Sequence, residues 1–398
     1  MTRELWDSSK KDRRAIDFSA GWDNNTRPAY DDLLIPYQLK LDGVYSSELF
    51  RLKYITAEEH GAIQDGLERL DKEYSDGELS VVGYEDVHSL VESKMNEWYG
   101  DLVGNVHLGL SRNDQVATLI RMWMKDQILD TQNNLTSLIS TIEQEKIKKG
   151  DSDFVGYTHH RIAMPTTYGE LLESYAAALT RDKSSLGFWL EQYDKCPLGV
   201  GAGFGSPIEL DRYELAKKLG FVKPTESSID TVTTRWEAEA KLADTIKVMM
   251  NHLSTMAQDF IINSMDRINV IYLPTEYCTG SSIMPQKQNP DVLETIKRKA
   301  IEIAGESFKL SSVGRGNISG YNRDTQGTKY WIINVFQELS GSLGIMSDIV
   351  AGITVNEERV RELLESGGAY TAAEVTRESI EKKKPYRRTK IEKEGELK

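Results

Sequence analysis

The chain has 398 residues, of which 39% are hydrophobic and 28% charged, with a formal net charge of −13. This length suits two or three domains with a sizeable core, and the negative charge argues against a nucleic-acid partner bound through a basic surface. The sequence predicts neither a membrane span nor, at residues 1–14, a secretory signal. Because Cys196 and Cys278 form no disulfide or metal-ligand pattern, we expect a cytoplasmic protein.

Long helices dominate the predicted elements. Three proline-free intervals carry apolar residues three and four positions apart, which is typical of helices. Strand-like patterns are limited to Leu79–Val82 and Ile268–Tyr272. The predicted long helices cover residues 116–142, 166–190, 229–261, 291–312 and 329–350.

This pattern predicts a mostly α protein in which about five long helices form a central bundle that extends across subunits. We expect three domains: residues 1–105, a central long-helix domain at 106–350 that carries the functional motifs, and a short C-terminal domain at 351–398. The smaller domains are expected to be helical. The charged tail from Glu381 is expected to be solvated.

The segment HLGLSRNDQVATLIRMW (107–123) places polar residues where the first long helix begins. Ser111, Asn113 and Asp114 are residue types that cap a helix N-terminus. Arg112 opposes the helix dipole but suits an anionic ligand, so the segment predicts either a simple cap or an anion site.

The segment VGYTHHRIAMP (155–165) places Tyr157, Thr158, His159 and His160 ahead of a proline and the next helix. Two histidines beside hydroxyl groups in a predicted loop favour a functional role over a structural one. No further ligands lie at metal-binding spacing. A glycine-rich segment, PLGVGAGFGSPIELDR (197–212), links two of the predicted helices. A flexible connector and a functional loop are about equally compatible with its composition.

The segment TGSSIMPQKQNPDVLE (279–294) predicts a loop that ends at a helix start, with Asn289 as N-cap and Pro290 in the first turn. Free N–H groups at the helix start, together with Lys287, predict a lid over a carboxylate or phosphate ligand. The alternative is a polar turn between helices. Residues 320–331, GYNRDTQGTKYW, place Tyr321, Arg323, Gln326 and Lys329 on one possible helix face, or in a solvated turn.

Taken in order, these motifs resemble a known family. The loop GSSIMPQKQNP (280–290) is similar to the signature of the fumarase/aspartase superfamily. The segments SRNDQVAT (111–118), GYTH (156–159) and YNRDTQGTK (321–329) resemble the argininosuccinate lyase branch, with weaker support from residues 85–92, 197–203 and 227–230. The resemblance covers roughly residues 80–335.

The resemblance implies β-elimination of argininosuccinate to arginine and fumarate, without a metal or organic cofactor. The catalytic residues it implies are Ser281 as the base, Lys287 as its activator, and a pair formed by His159 and Glu294. It leaves open which group protonates the leaving nitrogen, with His159 as the candidate. It also implies a homotetramer whose active sites are shared between subunits.

Substrate contacts are implied for both halves of the molecule. Lys287, Asn289, Ser111, Asn113 and Thr158 match residues that hold the succinyl half. Arg112, Tyr321, Gln326 and Lys329 match residues that hold the arginine half, with Asp86 at its ammonium group.

Several positions depart from the family pattern. Leu108 and Leu110 stand in a stretch that reads HTGRSRND in the family, and Thr234 and Trp236 replace acidic residues beside Arg235. Three alternatives therefore stay open: a lyase acting on another N-substituted aspartate such as adenylosuccinate, a hydrolase with Ser281 and Lys287, and a non-catalytic structural protein.

Overall fold

The computed structural model describes residues 30–396. It is mostly helical, as the apolar periodicity predicts. Residues 1–14, for which the sequence predicts no secretory signal, lie outside the described residues. The α-helices of the described part are α1 Ile35–Arg51, α2 Ala57–Ser75, α3 Val87–Tyr99, α4 Arg112–Lys149, α5 Tyr168–Tyr193, α6 Arg212–Leu219, α7 Ser228–Thr233, α8 Glu237–Ser264, α9 Asp291–Ser312, α10 Thr328–Leu339, α11 Ser342–Gly352, α12 Glu357–Ser366, α13 Thr371–Glu381 and α14 Tyr386–Glu396.

Three of the five predicted long helices are single elements, namely α4, α5 and α9. The predicted helix 229–261 is wrong as one element, because residues 234–236 separate α7 from α8. The predicted helix 329–350 is likewise divided into α10 and α11. Gly341 between them has φ 77°, a left-handed conformation that a continuous right-handed helix does not contain.

The strands pair as three two-stranded sheets within the described residues. Of the two predicted strands, Leu79–Val82 is wrong, and Ile268–Tyr272 is a strand only at Ile271–Tyr272. The pairs are β1 Asp153–Thr158 with β2 Arg161–Thr167 (antiparallel), β3 Lys195–Cys196 with β4 Lys223–Pro224 (parallel), and β5 Ile271–Tyr272 with β6 Thr354–Val355 (antiparallel).

The predicted loop around the two histidines is the β1–β2 hairpin. Thr158 pairs with Arg161, and the connecting His159 and His160 have φ angles of 52° and 58°. Two positive φ angles in a two-residue connection fit the right-handed twist of paired strands. The sequence gives no sign of this turn, because its usual residues are asparagine and glycine rather than histidine.

The chain divides into two compact units, each assembled from separate stretches of sequence. Among the described residues, unit 1 comprises 30–130, 186–244 and 305–337, and its core includes a perpendicular ring contact between Trp123 and Phe336. Unit 2 comprises residues 131–185, 245–304 and 338–396, and its core includes the Tyr175–Phe260 ring contact. The three-domain division made from the sequence stays a prediction.

No helix between residues 30 and 396 is both long and apolar enough to cross a membrane.

The hairpin geometry predicts how residue 160 tolerates substitution. His160→Val should lower the unfolding free energy by about 1–2 kcal/mol, because a β-branched side chain is strained at positive φ. His160→Asn should leave stability almost unchanged, since asparagine tolerates this conformation. Urea unfolding of both variants measures the difference, and equal stabilities would contradict a left-handed backbone conformation at residue 160.

Candidate active site

The start of α4 is fixed by a buried carboxylate. Asp114 accepts hydrogen bonds from the backbone N–H groups of Ser111 at 3.0 Å, Gly199 at 3.0 Å and Gly201 at 2.9 Å. Burial raises the pKa of Asp114 to about 6, although these N–H groups act in the opposite direction. The glycine-rich segment is therefore more than a connector, because it holds the first turn of α4 in place.

Arg112 points from this turn to two acidic residues. Its Nη1 donates to Asp86 at 2.7 Å and to Glu85 at 3.1 Å. Asp86 also caps α3 by accepting from the N–H of Ser89 at 2.9 Å. Burial alone would raise the pKa of Asp86, but the Arg112 guanidinium and the hydrogen bond from the Ser89 N–H act against it, and the pKa lies below its usual value.

Lys329 forms a buried ion pair in the same unit. Its Nζ donates to Asp31 Oδ1 at 2.6 Å, and its side chain is only 6% exposed. Burial would lower the pKa of Lys329, but the charge of Asp31 more than offsets this and raises the pKa, so the lysine stays cationic. Asp31 lies outside every motif, so nothing in the sequence indicates that it pairs with Lys329.

Asn113 and Tyr321 are connected through an arginine that the motifs did not single out. Arg235 Nη1 donates to Asn113 Oδ1 at 3.1 Å, and its guanidinium lies 5.3 Å from the centroid of the Tyr321 ring. Gln326 lies near this segment in sequence, and its Oε1 is buried without a hydrogen-bond partner in the described structure.

Another polar cluster of unit 1 contains two histidines. His107 Nε2 lies 3.1 Å from Asp42 Oδ1, and its Nδ1 lies 3.7 Å from Glu92. Burial would lower the pKa of His107, but these two carboxylates raise it to about 10. Burial lowers the pKa of His88 to about 3, which keeps its imidazole neutral.

The loop 279–289 belongs to unit 2 and is closed at its base. Thr279 and Asn289 exchange two backbone hydrogen bonds, of 2.8 and 3.0 Å. The Asn289 side-chain amide donates to the Gly280 carbonyl at 3.3 Å, so one of its two N–H groups serves the loop itself. The helix that follows begins at Asp291, so Pro290 precedes the helix instead of lying in its first turn.

Ser281 receives two hydrogen bonds inside this loop. Its Oγ accepts from the backbone N–H of Met284 at 3.2 Å and of Ile283 at 3.4 Å. Donors aimed at an oxygen favour its negatively charged form. The same pattern also occurs in ordinary serine turns. Lys287 is exposed, and no bond between it and Ser281 is found in the described structure.

The remaining predicted residues of unit 2 are exposed and form no side-chain hydrogen bond or ion pair within residues 30–396: Thr158, His159, Lys287 and Glu294. His159 sits in the hairpin turn, and Glu294 lies in the first turn of α9. The expected His159–Glu294 pair is not formed within this chain. Its formation between subunits, as the resemblance implies, stays a prediction.

The predicted site residues thus fall into two groups, one in each unit. Unit 1 holds Asp86, Ser111, Arg112, Asn113, Tyr321, Gln326 and Lys329. Unit 2 holds Thr158, His159, Ser281, Lys287, Asn289 and Glu294. Within residues 30–396, no group of three or more histidine, cysteine, aspartate or glutamate residues is arranged to hold a metal ion.

Known proteins resemble this chain in sequence and in fold. The model of the Lyase_1 family, described as lyase, matches residues 19–305. A solved structure of an EDDS lyase variant with bound fumarate has a TM-score of 0.80 at 22% identity, and the match covers 96% of this chain and 75% of that one.

Two further structures are similar at lower identity. A class II fumarase from Schistosoma mansoni has a TM-score of 0.76 at 21% identity, with 95% of this chain and 90% of that chain covered. A fumarate lyase, a delta crystallin from Brucella melitensis bound to cobalt, has a TM-score of 0.75 at 19% identity, with 94% and 91% covered. At these identities the likeness establishes the fold.

The raised pKa of His107 predicts a pH dependence of stability. Because its folded-state pKa is about 10 and its unfolded-state value is 6.5, the pair with Asp42 stabilises the fold fully below pH 6.5. This contribution is lost as the pH rises towards 10. His107→Gln should therefore flatten the fall in unfolding free energy between pH 7 and about 9.5.

Urea unfolding at both pH values measures this change. The exposed His160→Gln variant serves as the control and should keep the wild-type pH dependence. Identical pH slopes for His107→Gln and wild type would show that His107 is not charged in the folded protein.

Proposed function

Because this chain belongs to the Lyase_1 family and has a fumarase/aspartase-type fold, we propose that it cleaves argininosuccinate into arginine and fumarate by β-elimination. The proposal rests on the charged residues of unit 1. Their arrangement suits a leaving group that carries an α-amino-acid end.

The supporting observation is a cluster of three carboxylates and two cations. Arg112 is paired with Glu85 and Asp86, and Lys329 is paired with Asp31. A zwitterion can place its carboxylate at the cations and its ammonium at the carboxylates. The α-amino-acid end of the arginine half has these two groups.

The same cluster is unfavourable for a phosphate, which the alternative substrate adenylosuccinate would bring. A like charge 4 Å from a carboxylate costs about 4 kcal/mol at the effective dielectric constant typical near a protein surface. A phosphate at Arg112 and Lys329 would face three carboxylates. His160 and Arg161, two further residues that could bind a phosphate, lie exposed at the β1–β2 hairpin.

In the proposed reaction, Ser281 removes a proton from the succinyl carbon next to a carboxylate. The electron pair forms the double bond of fumarate, the C–N bond breaks, and the guanidino nitrogen of arginine takes up a proton. The backbone N–H groups that point at Ser281 Oγ support its role as an alkoxide. Lys287 and Asn289 would stabilise the negative charge that develops on the carboxylate.

We also propose that the active site is completed between subunits of a homotetramer. Exposed apolar side chains on the long helices support this, since they would lose contact with water when copies of the chain pack together. These side chains include Ile147 on α4, Phe188 on α5, and Ile301 and Phe308 on α9.

The first test is substrate choice. Purified protein should release fumarate, followed by its absorbance, from argininosuccinate and not from adenylosuccinate. Asp86→Asn should raise KM for argininosuccinate by about tenfold or more, since it removes the charge facing the ammonium while retaining a capping acceptor for α3. Release from adenylosuccinate alone would overturn the assignment, and release from neither would favour a non-catalytic role.

The second test concerns the base. Ser281→Ala should lower kcat by roughly 10²–10⁴, the usual loss on removing an acid–base group, and leave the fold intact. The neighbouring Ser282, exposed and without a side-chain hydrogen bond in the described structure, gives the matched control Ser282→Ala, which should retain wild-type kcat. Near-normal turnover of Ser281→Ala would remove Ser281 from this role.

A further inference from the structure

We propose that Arg235 is a positioning residue that orients the Asn113 side chain so that its amide NH₂ group donates to a carboxylate of the substrate. This inference rests on the proposed function, because that function places a carboxylate at Asn113. None of the motifs that identify the proposed active site assigns Arg235 a role.

The first step is the hydrogen bond itself. A guanidinium group can only donate, so the Asn113 atom that receives the 3.1 Å bond from Arg235 Nη1 must be the carbonyl oxygen Oδ1. This fixes which end of the amide faces Arg235. The NH₂ group therefore points away from the arginine and can donate elsewhere, and the described structure shows no partner that occupies it.

The second step is the burial of the arginine. Arg235 is only 7% exposed and lies between α7 and α8. No carboxylate of residues 30–396 forms an ion pair with it, and Thr234 and Trp236 beside it carry no charge. A buried cation is costly without partners. The charges of the buried Glu239 and Asp114 favour the charged form of Arg235 from a distance, while the Asn113 oxygen and the Tyr321 ring are the direct contacts that hold its guanidinium in place.

The third step is that the segment around Arg235, between α7 and α8, also contacts the motif that contains Tyr321. The guanidinium lies over the Tyr321 ring at 5.3 Å from its centroid, within the range of a cation–π contact. In addition, the Gly320 N–H donates to Thr233 Oγ1 at 2.8 Å. Asn113, proposed for the succinyl half, and Tyr321, proposed for the arginine half, are thus held by one short segment.

The test compares three variants. Arg235→Leu removes the donor and should raise KM for argininosuccinate by about 10- to 100-fold, the scale of a hydrogen bond to a charged group, with kcat changed less than about threefold. Arg235→Lys retains one donor and should recover most of the lost affinity. The exposed Arg315→Leu is the control and should match wild type.

A double-mutant cycle separates positioning from a general structural effect. If Arg235 acts through Asn113, then Arg235→Leu should raise KM no further in an Asn113→Ala background. Additive effects of the two substitutions, or an unchanged KM in Arg235→Leu, would overturn the proposal. Replacing a buried unpaired charge by leucine should preserve the fold, and the melting temperature of each variant checks this.

Direct binding of fumarate keeps this test independent of turnover. By calorimetric titration, Arg235→Leu should weaken the fumarate Kd by the same 10- to 100-fold, with no further loss in the Asn113→Ala background. A wild-type protein that binds fumarate in this Arg235-dependent way but releases none from argininosuccinate would refute the proposed function and retain the role of Arg235. Fumarate binding that is absent or independent of Arg235 would refute that role.

Discussion

The three hydrogen bonds to the buried Asp114 carboxylate determine where the polar side chains at the start of α4 are placed. They join the glycine-rich segment to the first turn of α4, from which Ser111, Arg112 and Asn113 project. Arg112 then reaches the cap of α3 at Asp86, and Asn113 reaches Arg235. A shift of this turn would therefore move every one of these contacts together, because each begins within three residues of Ser111.

The sequence predicts three of the five long helices as single elements and the short elements poorly, for a physical reason. Apolar periodicity accumulates over many turns in α4, α5 and α9, so one irregular residue does not change the outcome. The β1–β2 hairpin depends on two histidines in a left-handed conformation, which composition does not reveal. Likewise, the motifs identify Arg112 and Lys329 but not Asp31 or Arg235, because those partners are brought close only by folding.

The charged side chains discussed above have partners in unit 1 and, within residues 30–396, lack them in unit 2. In unit 1 Arg112 and Lys329 are already paired with carboxylates of the same unit, so their positions are set before any ligand arrives. In unit 2, His159, Lys287 and Glu294 are exposed and have no side-chain partner in the described structure. Preorganised pairs suit recognition of a substrate. A side chain that changes its protonation state, or that neutralises a developing charge, can do so in a reaction only if no permanent partner already occupies it.

The conformation of the 279–289 loop adds a further condition for catalysis. Two backbone N–H groups cannot alone make a serine hydroxyl a strong base in contact with water, because the high dielectric constant of water weakens their electrostatic interaction with the alkoxide. Next to Ser281 the loop carries Ile283, which is 86% exposed, and Met284, which is 42% exposed. Covering Ile283 would contribute about 1.5–3 kcal/mol. If Ser281 is the base that we propose, closure of the loop over a dicarboxylate would thus be favoured by the same side chains that exclude water from Ser281, and substrate binding would be linked to its activation.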